Sequence, residues 1–275
     1  MSVTVMEEQG PSISEEAIPV WNGKLTIRAK VAGAGSALIY FHPANGLHWD
    51  PFLSHLAQTH TVYAIEFPGT SSGDPYAIHL IDNLADMVLV YEELVRSLGL
   101  TRPVLVGQSF GGMLAAELAA AYPNIASKVV LLSPLGLWRE DLPVARWLEA
   151  GPQDMPALLF HDPSSAAAES MLALPEDPDI AAAAIAAQTW ATGVTAKFCW
   201  PIPDRGLRAR LHRFSAPTLV VWGREDSLNP VGYSDEWGRE LRDVQVAVID
   251  GCGHIAQVEK LHETIALVDA FLAGT

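Results

Sequence analysis

Cysteine is scarce in this chain, with only Cys199 and Cys252 among 275 residues. They do not fall in a metal-ligand spacing, and a stabilising disulfide is not expected in a reducing compartment, so both are read as packed thiols and no metal site is expected. Basic residues are also few: 17 Lys and Arg stand against 32 Asp and Glu, a formal net charge of -15. Nucleic acid or an anionic membrane would need a concentrated Lys/Arg surface, so neither is expected as a partner. Long apolar runs are missing as well. The nearest, Ile180 to Ala187, is alanine-rich and well short of the ~18 residues that a membrane span needs. Glu7, Glu8, Glu15 and Glu16 occupy the start of the chain in place of a basic and then apolar leader, so no secretory signal is read and a cytoplasmic location is expected.

What is present is apolar sequence, 49% of the chain, ample for a buried core in one large α/β domain or two small ones. After a polar stretch from Gly10 to Ser14, the pair Asn22-Gly23 favours positive φ. Flanked by Val20-Trp21 and by Lys24 to Ala32, it predicts an opening hairpin. Strand-like runs follow at Ala37 to Phe41, Thr61 to Phe67, Val104 to Val106, Val129 to Leu132, Thr218 to Trp222 and Val244 to Ile249. Helical patterns alternate with them, which predicts an α/β fold with a mainly parallel central sheet flanked by helices. The clearest helix is predicted between Ala77 and Leu98, on the spacing of Leu80, Leu84, Met87, Tyr91, Leu94 and Val95, and the last from Glu259 to Leu272.

The alternation stops between Leu137 and Arg213. This segment holds prolines, alanine-rich stretches and Trp138, Trp147, Phe160, Trp190, Phe198 and Trp200, without a convincing strand. It is read as a helical cap (137–213) over the carboxyl edge of a core formed by 1–136 and 214–275, because ligands of open parallel sheets lie outside the strand C-termini.

Gly107-Gln108-Ser109-Phe110-Gly111 follows the apolar run Pro103 to Val106 and precedes a helical pattern. A G-x-S-x-G between strand and helix is a nucleophile elbow, a turn so sharp that nearly side-chain-free neighbours are needed and the serine hydroxyl is left exposed. A serine hydroxyl is a weak nucleophile, so an imidazole base is required, with a carboxylate to orient it. Asp226 follows the strand ending at Trp222, with Glu225 and Asp235 as rivals. His254 follows the final strand on a Gly-lined loop, whereas His55, His60, His79 and His262 lie in helical or inter-element segments. The loop Ser133 to Gly136 offers no carboxylate. The order Ser109, Asp226, His254 is that of the elbow architecture. The oxyanion is assigned to the N–H groups of Phe110 and of Ala44, in the loop His42-Pro43-Ala44-Asn45-Gly46. Asn45, Ile255 and the cap residues Trp138, Trp147, Trp190 and Phe198 are the expected substrate contacts.

These residues resemble the α/β-hydrolase superfamily over nearly the whole chain: Gly107 to Gly112, Glu66-Phe67-Pro68-Gly69, Trp222-Gly223-Arg224-Glu225-Asp226 and Gly251-Cys252-Gly253-His254. The resemblance implies the α/β-hydrolase fold with a helical cap, hydrolytic chemistry on a small-molecule substrate, and no cofactor. Pro43 stands where the family usually has glycine, and the family's donor is the next residue, here Ala44. The stretch Gly253 to Glu259 is similar to the meta-cleavage-product hydrolases, which cut a C–C bond beside a carbonyl, although those usually carry Trp at the place of Ile255. The sequence therefore predicts a serine hydrolase of a small, largely apolar ester. The alternatives are a C–C hydrolase holding a substrate carboxylate through Arg139 or Arg146, and a binding protein with a vestigial triad.

Overall fold

The computed structural model describes residues 11–71 and 73–274. Glu7, Glu8 and Gly10, part of the sequence reading, lie outside them. The strands are β1 (Ser14–Val20), β2 (Leu25–Ala32), β3 (Ser36–Phe41), β4 (His60–Ile65), β5 (Val104–Gln108), β6 (Val129–Leu132), β7 (Thr218–Gly223) and β8 (Val244–Ile249). Among the described residues they form one sheet in the order β1-β2-β4-β3-β5-β6-β7-β8. β2 runs antiparallel to β1 and β4, and every pairing from β4 to β8 is parallel.

The helices are α1 (Pro51–Leu56), α2 (Leu84–Ser97), α3 (Phe110–Ala121), α4 (Met155–Leu159), α5 (Ala166–Leu172), α6 (Pro178–Cys199), α7 (Gly232–Glu240), α8 (Ala256–Glu259) and α9 (Leu261–Ala273), with 3-10 turns at Pro75–Leu80 and Arg208–Arg213. Every residue of β5, β6 and β7 is buried, as parallel strands covered on both faces must be. The two-residue period of the strands divides the core. Ile39, Phe41 and Leu105 pack with α2 and α3 on one face, while Leu38, Tyr40, Val104 and Val106 pack with α1 and α9 on the other.

Four local expectations change. The predicted hairpin forms, but its turn takes four residues: Val20 pairs with Leu25, and Trp21, Asn22 and Gly23 all adopt positive φ. The helix predicted from Ala77 to Leu98 is broken in two. Asn83 caps α2, its side chain accepting the Asp86 N–H while Asp86 answers to the Asn83 N–H. This capping box starts the helix at Leu84 and leaves Leu80 exposed on the preceding 3-10 turn. The last helix is likewise divided at Lys260 into α8 and α9. The strand read to Phe67 ends at Ile65, and the Phe67 N–H turns instead to the His42 ring.

Residues 133–217, between β6 and β7, carry α4, α5, α6 and the second 3-10 turn, with no strand. The N-terminal half of α6 is exposed almost throughout, Ile180 and Ile185 included. Among the described residues no helix is long and apolar enough to cross a membrane.

Candidate active site

β3 lies between β4 and β5. From β3 the chain turns to one side for β4, then passes back to the other side for β5, so the loops leaving β3 and β5 diverge. A crevice at such a reversal, outside the strand carboxyl ends, is where open α/β sheets bind ligands. Ser109 follows β5, and the loop from His42 to Gly46 follows β3.

Ser109 sits at φ 54 and ψ -115, a left-handed conformation that costs a non-glycine residue about 1–3 kcal/mol and is held by its surroundings. The glycines beside it are needed for close approach. A Cβ at Gly111 would come within 2.0 Å of the Phe41 carbonyl oxygen, and one at Gly107 within 2.4 Å of the Gly111 oxygen. Helix α3 thus starts directly against the end of β3.

Two further loops converge on the serine. His254 Nε2 lies 2.9 Å from the Ser109 Oγ, and its Nδ1 lies 2.8 Å from Asp226 Oδ2. A carboxylate accepts, so Nδ1 carries the ring proton; Nε2 then accepts the serine hydroxyl. All three residues are buried. The other Asp226 oxygen accepts the N–H groups of Leu228 at 3.0 Å and Asn229 at 2.8 Å, which fixes the carboxylate from behind. His254 is held through its backbone: its N–H donates to the Leu159 carbonyl at 2.8 Å, and Gln108 Nε2 donates to its carbonyl at 3.3 Å.

The rivals are placed elsewhere. Glu225 accepts the Cys252 N–H, and Asp235 is exposed on α7. His55 pairs with Asp269, His60 opens β4, His79 stacks on Tyr76, and His262 lies on α9.

The N–H of Phe110 stands at the first position of α3, and among the described residues neither it nor the N–H of Ala44 donates to an internal acceptor. The loop bearing Ala44 is organised by His42. Its Nδ1 donates to the Pro43 carbonyl at 2.6 Å, and its Nε2 accepts the Phe67 N–H at 2.9 Å. Acceptance at Nε2 requires the neutral ring, and burial pushes the His42 pKa down to about 4.

The expected substrate contacts are scattered. Ile255 packs with Phe160 and Ala168 of the β6–β7 segment. Phe198 is buried edge-on against Phe67 at 5.5 Å, and Phe67 in turn against Phe110 at 5.2 Å. Trp147 is buried against Trp200, and Trp138 is half-buried with its indole N–H on Glu140. Asn45 is half-buried beside Ala44. Trp190 is 44% exposed and donates to the Gly69 carbonyl. It lines a groove of about 730 Å3 with Ile78, His79, Val194 and Lys197, whose wall holds neither Ser109 nor His254. Cys199 and Cys252 are buried free thiols, pushed up to about 12 by burial.

Sequence reasoning assigns no role to Gln108, Thr195 or Glu259, which brace the site. Thr195 donates to the Ala44 carbonyl at 3.0 Å across 151 residues, a contact that no local pattern announces. Glu259 accepts the Gly253 N–H at 2.6 Å; its only sequence signal is its place at the end of the Gly253 to Glu259 stretch.

A doubly wound sheet with a strained serine at the first turn of the helix after its central strand defines the class of α/β proteins built around a strand-to-helix elbow. The family model for the alpha/beta hydrolase fold matches residues 37–261, and the chain belongs to that family; it is a hydrolase. The chain is 27% identical over 264 residues to a 2-hydroxy-6-oxo-6-phenylhexa-2,4-dienoate hydrolase of Burkholderia cepacia, with 88% of this chain and 90% of that protein covered. It is 26% identical over 277 residues to monoacylglycerol lipase abhd6-A of Xenopus laevis, covering 90% and 78%. In fold it is similar to the 2-hydroxy-6-oxo-6-phenylhexa-2,4-dienoate hydrolase of Rhodococcus sp. strain RHA1, with a TM-score of 0.75 at 22% identity over 96% of this chain and 100% of that one. A bacterial membrane phospholipase A gives a TM-score of 0.76 at 21% identity, covering 94% and 86%.

Proposed function

We propose that this hydrolase cleaves a small, largely apolar carboxylic ester through an acyl-enzyme on Ser109. The observation that carries the reading is the continuous contact from Ser109 through His254 to Asp226, at 2.9 and 2.8 Å. His254 Nε2 takes the hydroxyl proton as Oγ attacks the ester carbonyl, and returns it to the departing alcohol oxygen. Water then repeats the sequence on the acyl-enzyme and frees the acid. Asp226 holds the ring in the tautomer that leaves Nε2 free to accept. The N–H groups of Ala44 and Phe110 receive the oxyanion, each worth about 3 kcal/mol of barrier. The steps balance without a metal or an organic cofactor.

Residues 137–213 serve as a cap over a core of 1–136 and 214–275. The segment reaches loops at the carboxyl ends of three strands: Thr195 bonds the loop after β3, Trp190 the loop after β4, and Leu159 the loop after β8. Phe67, Phe110 and Phe198 supply the apolar character of the interior beside the elbow.

A second reading, C–C bond hydrolysis of a vinylogous diketo acid, is favoured by the likeness to the Burkholderia cepacia enzyme. The two arginines expected to hold that substrate's carboxylate count against it. Arg139 is committed to Asp141 and Glu236, and Arg146 to Glu149. The deciding experiment is turnover by wild type and Ser109→Ala of p-nitrophenyl esters from acetate to octanoate, beside a vinylogous 1,5-diketo acid. Ser109-dependent ester turnover above that of the diketo acid supports the ester reading, and the reverse order replaces it with the second.

A further inference from the structure

Both peptide groups that meet at Ala44 are held by side chains. The first carries the Ala44 N–H and the Pro43 carbonyl on opposite edges of one rigid plane. His42 Nδ1 donates to that carbonyl at 2.6 Å, and the ring is itself anchored by the Phe67 N–H on Nε2 at 2.9 Å. The second peptide carries the Ala44 carbonyl, which accepts the Thr195 hydroxyl at 3.0 Å.

Thr195 Oγ also lies 3.0 Å from the Ala191 carbonyl and 3.1 Å from that of Thr192, yet it has a single proton. Those two carbonyls sit inside α6, where the N–H four residues on is the ordinary partner. Among the described residues the Ala44 carbonyl accepts from no other donor. Hydrogen-bond satisfaction therefore gives the proton to Ala44.

We propose that His42 and Thr195 are positioning residues that capture the carbonyls on either side of Ala44 and so fix the direction of its N–H. The inference rests on the reading of Ala44 as an oxyanion donor and makes α6 a part of that site. Neither side chain touches the substrate. The close approach of Gly111 to the Phe41 and His42 backbone sets the same loop against the start of α3, so the Ala44 and Phe110 donors are held from a common base. Because the oxyanion exists in the transition state and not in the bound ester, misaiming the donor lowers kcat and leaves KM in place.

The test compares His42→Ala, His42→Asn, Thr195→Val and Thr195→Ser with wild type and Ser109→Ala, on the full chain. The readouts are kcat and KM for a p-nitrophenyl ester, Tm, and Ki for an aryl trifluoromethyl ketone. Ser109 Oγ adds to the carbonyl carbon of that ketone, the serine proton passes to His254 Nε2, and the ketone oxygen becomes a tetrahedral oxyanion. We expect kcat to fall about 3- to 10-fold in Thr195→Val and about 10- to 100-fold in His42→Ala, with KM within about twofold and Ki raised by the same factor that kcat falls. Thr195→Ser keeps the hydroxyl, and His42→Asn places an N–H where Nδ1–H stood, so each recovers most of the loss. Thr195→Val keeps the shape of threonine and carries the test even if His42→Ala does not fold.

Ser109-dependent turnover left at the wild-type kcat in Thr195→Val and His42→Ala would overturn this proposal alone. Full turnover in Ser109→Ala would remove the oxyanion itself and overturn the ester reading with it. A fall in kcat with Ki unmoved, or one that neither serine nor asparagine recovers, would mark a merely structural role and also overturn the proposal.

Discussion

The Glu259 carboxylate accepts the N–H of Gly253 at 2.6 Å, one residue before His254. The same carboxylate accepts the N–H groups of His161 at 3.1 Å and Asp162 at 2.8 Å, so one side chain ties the histidine loop to the segment between β6 and β7. Replacing Glu259 with alanine leaves the buried Gly253 N–H without a partner, at a cost of about 1–3 kcal/mol. We predict a loss of that size in urea unfolding for Glu259→Ala and a lower kcat, with Glu259→Gln closer to wild type because one oxygen acceptor remains.

Asp226→Asn changes hydrogen-bond character with little change in shape. The asparagine oxygen can still accept from Leu228 and Asn229, which turns its NH2 toward His254 Nδ1 and makes that nitrogen an acceptor. The proton then moves to Nε2, where a base is needed. We predict a fall in kcat of about 10^3- to 10^4-fold with an unchanged circular dichroism spectrum and Tm within a few degrees.

His42 gives stability a pH dependence of definite sign. Its pKa falls from 6.5 in the unfolded chain to about 4 in the folded protein, so between these values the unfolded state binds more protons. The His42 contribution to stability is complete above about pH 6.5 and is lost as pH falls through 4, by up to about 3 kcal/mol. His48, which repels a proton on His42 when itself protonated and whose own pKa burial lowers, is shared by wild type and His42→Asn, as is Asp50, whose carboxyl burial raises to about 6. The difference in unfolding free energy between the two proteins, measured from pH 7.5 to 4, is therefore predicted to shrink as pH falls. A difference that stays constant would contradict the neutral ring.

Trp190 and Phe198 separate two kinds of aromatic residue. Trp190 faces a groove whose wall lacks Ser109, so Trp190→Ala is predicted to change kcat/KM for a short ester by less than about threefold. Phe198 is buried against Phe67, so Phe198→Ala is predicted to lose about 3–5 kcal/mol in denaturant unfolding before any effect on turnover is read.

The elbow is legible in the sequence because its requirements are local. Strand, glycine, serine, glycine and helix follow one another without a gap, and the strain at Ser109 explains each small neighbour. Asp226 and His254 are legible because each closely follows an apolar run that becomes a strand. The break before α2 is harder to read: Leu80 continues the apolar period, and only the Asn83 and Asp86 capping pair marks the true start. Thr195 and Glu259 leave no such mark, since their partners are brought to them by the whole fold. The aromatics of the β6–β7 segment are also ambiguous, because spacing separates neither buried Trp147 and Phe198 from exposed Trp190 nor those that turn toward the serine from those that do not.

The most direct test of an activated Ser109 is intact mass after exposure to an alkyl fluorophosphonate, for wild type and Ser109→Ala. The serine oxygen displaces fluoride at phosphorus, and the proton leaves through His254. We predict one stoichiometric adduct on wild type, none on Ser109→Ala, and loss of ester turnover in step with labelling. An adduct of equal extent on both proteins, or ester turnover that survives complete labelling of wild type, would contradict the account.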